Sequence, residues 1–239
     1  MGAKQPRISV IVPVYNETGV LGQCLERLSG RRDIDQVIVV DASRSEAVAE
    51  FYQNHPGMVL QAPPVVLVGA LNRGRAAQMN LGADLSRADM LLFLHADTVL
   101  PGENLRPLLC SGCCLERWGR FDIRLDSNAW WARMIAAMMN IRSRLSGIAT
   151  GDQALFIGRD LWCRIGGFAQ IPLMEDVEIC RRLKSVTRPE TLRTRVTTSA
   201  RRWQSDGVFR TIFKMWAFRL AFALGADPAR LARRYRNVR

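Results

Sequence analysis

"LLFLHADTVLP", residues 91–101, is an apolar run that breaks at His95-Ala96-Asp97 before Pro101 closes a turn. Four consecutive apolar residues without polar alternation fit a strand buried on both faces, and such strands belong to parallel sheets covered by helices. A strand of this kind has little reason to end in an imidazole and a carboxylate. In open parallel sheets ligands sit beyond the carboxyl ends of the strands, so the break reads either as a polar strand end or as the edge of a site for a metal and a phosphate.

The segments before it repeat the pattern. "RISVIVPVY" (7–15), "QVIVVD" (36–41) and "VVLVGA" (65–70) read as strands, with helices through "ETGVLGQCLERLSG" (17–30), "SEAVAEFYQNH" (45–55) and "RGRAAQMNLGADL" (73–85). This alternation predicts an α/β fold with a mostly parallel sheet flanked by helices. The strands end in Asn16-Glu17, Asp41, Asn72-Arg73 and His95-Ala96-Asp97. Any one of these polar ends could merely cap the following helix; four converging on one sheet edge favour a site.

Beyond Pro101 the pattern changes. "WGRFDIRL" (118–125) reads as a strand, "NAWWARMIAAMMNIRSRL" (128–145) as an amphipathic helix, and "GDQALFIGRD" (151–160) as a strand followed by a turn. "EDVEICRRLK" (175–184) reads as a helix opening on two acids, and "VTTSARRW" (196–203) as a strand into a basic turn. "GVFRTIFKMWAFRLAFALG" (207–225) is an apolar helix that Arg210, Lys214 and Arg219 interrupt. Its uncharged stretches fall well short of the roughly 20 residues of a membrane span. It is expected to pack against the domain, with the membrane interface as the alternative.

The chain has 239 residues, 48% of them hydrophobic, which suits one domain with a sizeable core. "MGAKQPRISVIVPVY" runs straight into a strand without the order of a signal peptide. The six cysteines show no disulfide framework spacing, so a reducing cytoplasm is the expectation. Cys110 and Cys113 form a CxxC with Cys114 adjacent, yet no second pair or nearby histidine completes a zinc site. The net charge of +12 calls for an anionic partner, and the excess is concentrated after Arg181. No nucleic-acid recognition motif accompanies it, so specific nucleic-acid binding is not expected.

Several residues carry candidate chemistry. Asp97 is a hard ligand suited to Mg²⁺ or Mn²⁺, a metal that takes one or two protein carboxylates and completes its shell with water and phosphate oxygens. Glu175 and Asp176 begin a helix, where the macrodipole favours acids. Their functional reading is a base, since adjacent acids raise each other's pKa. No GxGxxG and no GxxxxGK[ST] occurs, which removes the best support for dinucleotide or P-loop sites. Arg73 and Arg75 at a helix start, and Arg201 or Arg202 in "SARRWQ", could hold phosphate.

In order and interval, "ISVIVPVYNE", "VIVVDASRSE", "GRAAQMNLGA", "LLFLHADTVLP", "GDQALFIGRDLWCRIGGF", "LMEDVEICRRLK" and "TSARRW" resemble the inverting family 2 glycosyltransferases of GT-A fold. More narrowly they resemble the radical-SAM/selenodomain-associated transferase 2 subgroup. The resemblance implies a single domain over 1–239: a nucleotide-sugar-binding half (1–100), a metal and acceptor part (101–205) and C-terminal helices (206–239). It implies that Pro13, Tyr15 and Glu17 line the nucleotide pocket, that Asp41 reads the uracil, and that Arg75 and Asn80 lie near ribose and diphosphate. His95, Ala96 and Asp97 stand at the family's DxD, with Asp97 the metal ligand and His95 replacing the first acid, where it could touch ribose or ligate the metal. Asp152, Gln153 and Glu175 fall on the acceptor side, Asp176 matches the catalytic base, and Arg201, Arg202 and Trp203 resemble the late basic motif that closes the donor site. "DASRSE" lacks the glycine-serine pair usual after the base-reading acid.

The implied reaction is transfer of a sugar from a nucleoside diphosphate, UDP above all, to an acceptor hydroxyl with a Mn²⁺ or Mg²⁺ cofactor. The acceptor would be a small molecule or lipid-linked, with peripheral contact to an anionic membrane at its inner face. Two rivals stand beside this reading. A sugar-phosphate nucleotidyltransferase would normally carry a Gly-rich basic loop after the first strand, where "PVYNET" stands. A non-catalytic polyanion- or membrane-surface-binding module on a transferase fold is the other.

Overall fold

The computed structural model describes residues 5–16, 18–43, 53, 62–71, 73–109 and 114–236. Glu17, Asn72, Cys110, Cys113 and the expected helix at 45–55, apart from Gln53, lie outside them. The front of the chain alternates as the apolar runs require: β1 (Ile8–Val14), α1 (Thr18–Leu28), β2 (Gln36–Asp41), β3 (Val65–Gly69), α2 (Arg75–Leu85) and β4 (Met90–Phe93). The short α3 (Arg106–Leu109) precedes β5 (Trp118–Leu125) and the long α4 (Trp130–Ser146). A 3-10 turn at Gly151–Gln153 leads into β6 (Leu155–Gly158), α5 (Arg159–Ile165), α6 (Glu175–Val186) and β7 (Glu190–Thr198). Three helices follow: α7 (Arg201–Asp206), α8 (Val208–Ala223) and α9 (Pro228–Arg236).

The strands form one seven-stranded sheet in the order β3-β2-β1-β4-β6-β5-β7. β1 pairs in parallel with β2 and β4, β2 with β3, and β5 with β7, while β6 is antiparallel to both its neighbours. β6 alone therefore runs against the rest. Register sets Val14 level with Asp41 and Asp41 level with Gly69, which brings the first three strand ends to one edge. The Leu94 N–H donates to the Ile11 carbonyl at 2.9 Å, carrying β4 to the same edge at His95.

Side chains alternate across the sheet. Val10, Val12, Val37, Val39 and Leu92 face Leu21 and Leu25 of α1, and Ile11, Leu91 and Phe93 face Ala76, Met79 and Ala83 of α2. Each of the Val, Leu, Ile, Phe and Met side chains among them contributes about 1.5–3 kcal/mol when fully buried. β5 is less usual, because Arg120 and Asp122 are both buried in it. Arg120 and Arg144 both pair with Asp122. Asn140 grips β5 by donating to the Ile123 carbonyl at 3.1 Å and accepting from its N–H at 2.9 Å. This polar network fixes α4 on the sheet and sets the direction of the rest of that helix.

Two local expectations need correcting. The "GDQ" segment is a 3-10 turn rather than strand, held by a reciprocal capping box between Thr150 and Gln153. The basic segments expected as turns, after Gly158 and at "RRW", are the short helices α5 and α7; at seven and six residues each is too brief to show helical periodicity.

Candidate functional site

The edge where β1, β2 and β4 end is built as a rigid frame. The Gln78 side-chain amide, buried on α2, donates to the carbonyls of Val14 at 2.7 Å and Val40 at 2.8 Å. These bonds clamp the ends of β1 and β2 to one helix. Gln78 lies inside a motif visible in the sequence, but nothing in the spacing marks its role. Asp41 is buried and its Oδ1 accepts from the N–H of Ser43 at 2.8 Å, while the Asn16 N–H donates to the Ser43 hydroxyl at 2.7 Å. Pro13 is half-buried at the end of β1, and Tyr15 is exposed beyond it with the Arg73 guanidinium 4.9 Å from its ring centroid.

The His95-Ala96-Asp97 turn is pinned from behind. Val99 and Thr197 exchange backbone bonds at 2.7 and 2.9 Å, and the Thr98 hydroxyl lies 3.2 Å from that of Thr198. Ala96 is buried, whereas His95 and Asp97 are half-buried. The His95 Nδ1 lies 3.4 Å from Asp152 Oδ1. Its ring also packs under Gly151, where an added Cβ would stand 2.3 Å from Cε1 and Nε2. The strand end and the Gly151–Gln153 turn thus meet face to face.

The same turn reaches the two acids of α6. The Gly151 N–H donates to Asp176 Oδ2 at 3.1 Å, and Asp176 Oδ1 accepts from the N–H of Val177 at 2.8 Å. Glu175, buried, has Arg75 Nη1 at 3.9 Å from Oε1. Burial pushes the Glu175 carboxyl above the usual carboxylate range, the Asp176 carboxylate adds to this, and Arg75 opposes it. His95, Asp152, Asp176, Glu175 and Arg75, from four separate stretches of chain, therefore form one continuous polar rim. Gln153 is wholly buried, its Oε1 accepting from the Thr150 N–H at 3.1 Å.

Other expected site residues have different surroundings. Asn80 uses both ends of its amide on the Phe168 backbone, at 2.9 Å each, tying α2 to the loop before α6. Arg201 is exposed with its Nε 3.1 Å from the Ser199 hydroxyl. Trp203 packs against Leu125, Ala132 and Ile135 beside α4. Glu17 and the Arg202 side chain are outside the described structure.

Comparison with known proteins agrees with this architecture. Residues 9–111 match the family described as Glycosyl transferase family 2. The chain is 30% identical over 107 residues to an undecaprenyl-phosphate 4-deoxy-4-formamido-L-arabinose transferase of Pseudomonas fluorescens, covering 43% of this chain and 31% of the relative. It is 31% identical over 104 residues to a glycosyltransferase of Haemophilus influenzae, covering 43% and 33%. It thus spans about a third of the length of these two relatives. Among solved structures, the mannosyltransferase PcManGT from Pyrobaculum calidifontis, in complex with GDP-Man and Mn²⁺, superposes with a TM-score of 0.62 at 18% identity, over 95% of this chain and 67% of that one. GalNAc-T7 with UDP, GalNAc and Mn²⁺ gives a TM-score of 0.63 at 16% identity, over 82% and 44%. Residues 9–111 are thus similar to Glycosyl transferase family 2, and over most of its length the chain shares the GT-A fold of these two solved structures.

Proposed function

We propose that this chain transfers a sugar from a nucleoside diphosphate, UDP first among them, to an acceptor hydroxyl with inversion at the anomeric carbon. The observation that carries the reading is the place of Asp176. It stands at the start of α6, held by the Gly151 N–H, beside the edge where β1, β2 and β4 end. From there its carboxylate takes the acceptor proton as the acceptor oxygen bonds to the anomeric carbon. The bond from that carbon to the diphosphate oxygen breaks, and the diphosphate leaves with the electron pair.

The donor side would use Asp41 for the base and Arg75 for the diphosphate; Asp152, Gln153 and Glu175 would face the acceptor. Asp97, with His95 beside it, would hold Mn²⁺ or Mg²⁺. The described residues contain no group of three or more His, Cys, Asp or Glu placed for a metal, so an ion at Asp97 would need donor oxygens and water to complete its shell. Such an ion, when bound, neutralises charge on the departing diphosphate. Nucleotide and Mn²⁺ in the structural neighbours support this assignment, and the name of the Pseudomonas relative supports an acceptor carried on a lipid. That acceptor and the basic C-terminal helices suit a protein resting on the inner face of an anionic membrane. The seven motifs, taken in order, support the narrower placement in the radical-SAM-associated subgroup.

A thermal-shift panel of nucleoside diphosphates with and without Mn²⁺ tests the donor site, since a ligand at about 100 times Kd adds roughly 2.7 kcal/mol. UDP with Mn²⁺ is expected to give the largest shift, and a flat panel would overturn the reading. Asp176→Asn is expected to lower turnover about 10²–10⁴-fold, the range of general-base catalysis, and to leave the UDP shift intact. Turnover at the wild-type level would remove Asp176 from the role.

A further inference from the structure

Gly151 is a glycine for a reason outside its own backbone. Its φ is not in the left-handed region where Gly147, Gly166 and Gly167 sit, so the backbone alone would accept any L residue there. What excludes a side chain is His95. An added Cβ would stand 2.3 Å from Cε1 and Nε2 of the imidazole and 3.5 Å from its Cδ2, so the three nearest atoms all belong to that ring. The imidazole fills the space that a side chain at 151 would need. Its other nitrogen, Nδ1, lies 3.4 Å from Asp152 Oδ1. Two successive residues of the turn therefore rest on one ring.

The turn that rests there is stiff. The Thr150–Gln153 capping box closes it, and Gln153 is wholly buried. Ala154 leaves it in the left-handed region at φ 47, which a residue other than glycine adopts only where its surroundings enforce it. A stiff turn moves as a body, and the N–H it carries at Gly151 is the one that donates to Asp176 Oδ2 at 3.1 Å. On the other side, the His95 carbonyl accepts from the Thr98 N–H at 3.0 Å and closes the turn that presents Asp97. One residue thus serves both acids, through its backbone for Asp97 and through its ring for Asp176.

We propose that His95 is a positioning residue for the base: its ring is the seat of the Gly151–Gln153 turn, and so holds the Asp176 carboxylate in fixed register with the strand end that presents Asp97. This rests on the roles proposed above for Asp176 and Asp97. It gives the histidine a task that an aspartate at the same place, with no ring to fill the space, could not perform. His95 and Gly151 are then matched in size, and neither can change alone without moving the turn.

The test uses the full chain as wild type, His95→Ala, Gly151→Ala and the double variant. In amide exchange followed by NMR, the amide at position 151 is expected to exchange at least about tenfold faster in His95→Ala than in wild type, while those of Val10 and Ile38 in the central strands stay within about threefold. Gly151→Ala is expected to melt below wild type. Adding His95→Ala to it should raise the melting temperature again, because the new methyl group then has the space that the ring has left, a non-additivity reserved for residues in contact. A histidine that merely stabilised the fold would make the double variant melt below both single variants, and that result overturns the proposal. Exchange at 151 that stays at the wild-type rate in His95→Ala overturns it too; if Mn²⁺ affinity is lost in the same variant, the ring is a metal ligand instead. Wild-type protein that UDP with Mn²⁺ fails to stabilise overturns the transferase reading, whereas exchange and melting decide the seat without any donor.

Discussion

Glu175 and Asp176 are neighbours in the chain and differ in what surrounds them. Glu175 is buried with its carboxyl toward Arg75, whereas Asp176 is half-buried and accepts hydrogen bonds from two backbone N–H groups. Burial first and the Asp176 charge second raise the Glu175 pKa above its ordinary 4.5. A carboxyl whose folded pKa lies above its unfolded value favours the folded state below the unfolded value, and that contribution is lost as pH rises through the folded pKa. Ionised Glu175 is therefore a burden at neutral pH that the uncharged Glu175→Gln does not carry. The melting temperature of Glu175→Gln minus that of wild type should become more positive between pH 5 and pH 8. Melting curves at several pH values would settle it, and a difference that stayed flat would show that Arg75 compensates Glu175 fully.

The elements that matter most for the site are not the strands but the short connections laid over their ends. Gly151 has the His95 ring where a Cβ would stand, and its N–H holds Asp176, so one residue in a 3-10 turn sets both partners. Gly151→Ala must push the ring or the turn aside. A displacement near 1 Å at reacting groups costs about 10²-fold in rate. A loss of that order in kcat/KM is expected with the circular dichroism spectrum unchanged, and activity within twofold of wild type would mean that the turn yields freely. This division also explains how much the sequence foretold. β1, β2 and β4 could be read because strands buried on both faces are written as unbroken apolar runs, and their polar ends at Asn16, Asp41 and His95 stood out by contrast. The reversed β6 left no such trace, since a four-residue apolar strand looks the same in either direction. Asp97 and Asp176 were visible as motif positions. Gln78 was not, because an amide clamped to two carbonyls acquires its meaning only from distant segments.

At the scale of the whole molecule, charge and apolar surface coincide. The chain carries a net charge of +12, and its last two helices place Arg210, Arg230, Arg233 and Arg234 at the surface. Phe213, Trp216 and Leu220 recur at helical spacing on α8, exposed by 74%, 62% and 62%, respectively. No helix among the described residues is long and apolar enough to cross a membrane. A basic helical pair with an uncovered apolar stripe is the pattern of a segment that lies in the bilayer interface. The charge contribution, about 1 kcal/mol per basic residue near an anionic surface, fades with salt because the Debye length falls from about 10 Å at 0.1 M to about 3 Å at 1 M. The protein is therefore expected to sediment with phosphatidylglycerol vesicles at low salt, to bind phosphatidylcholine vesicles weakly, and to be largely released at high salt. Phe213→Ser with Trp216→Ser should weaken the vesicle-bound fraction at every salt concentration, because it removes the part of binding that salt does not screen. Should a second copy of the chain cover the stripe instead, the same double variant would convert a dimer to a monomer in sedimentation velocity and leave vesicle binding unchanged, a result that would exclude the interfacial role for α8.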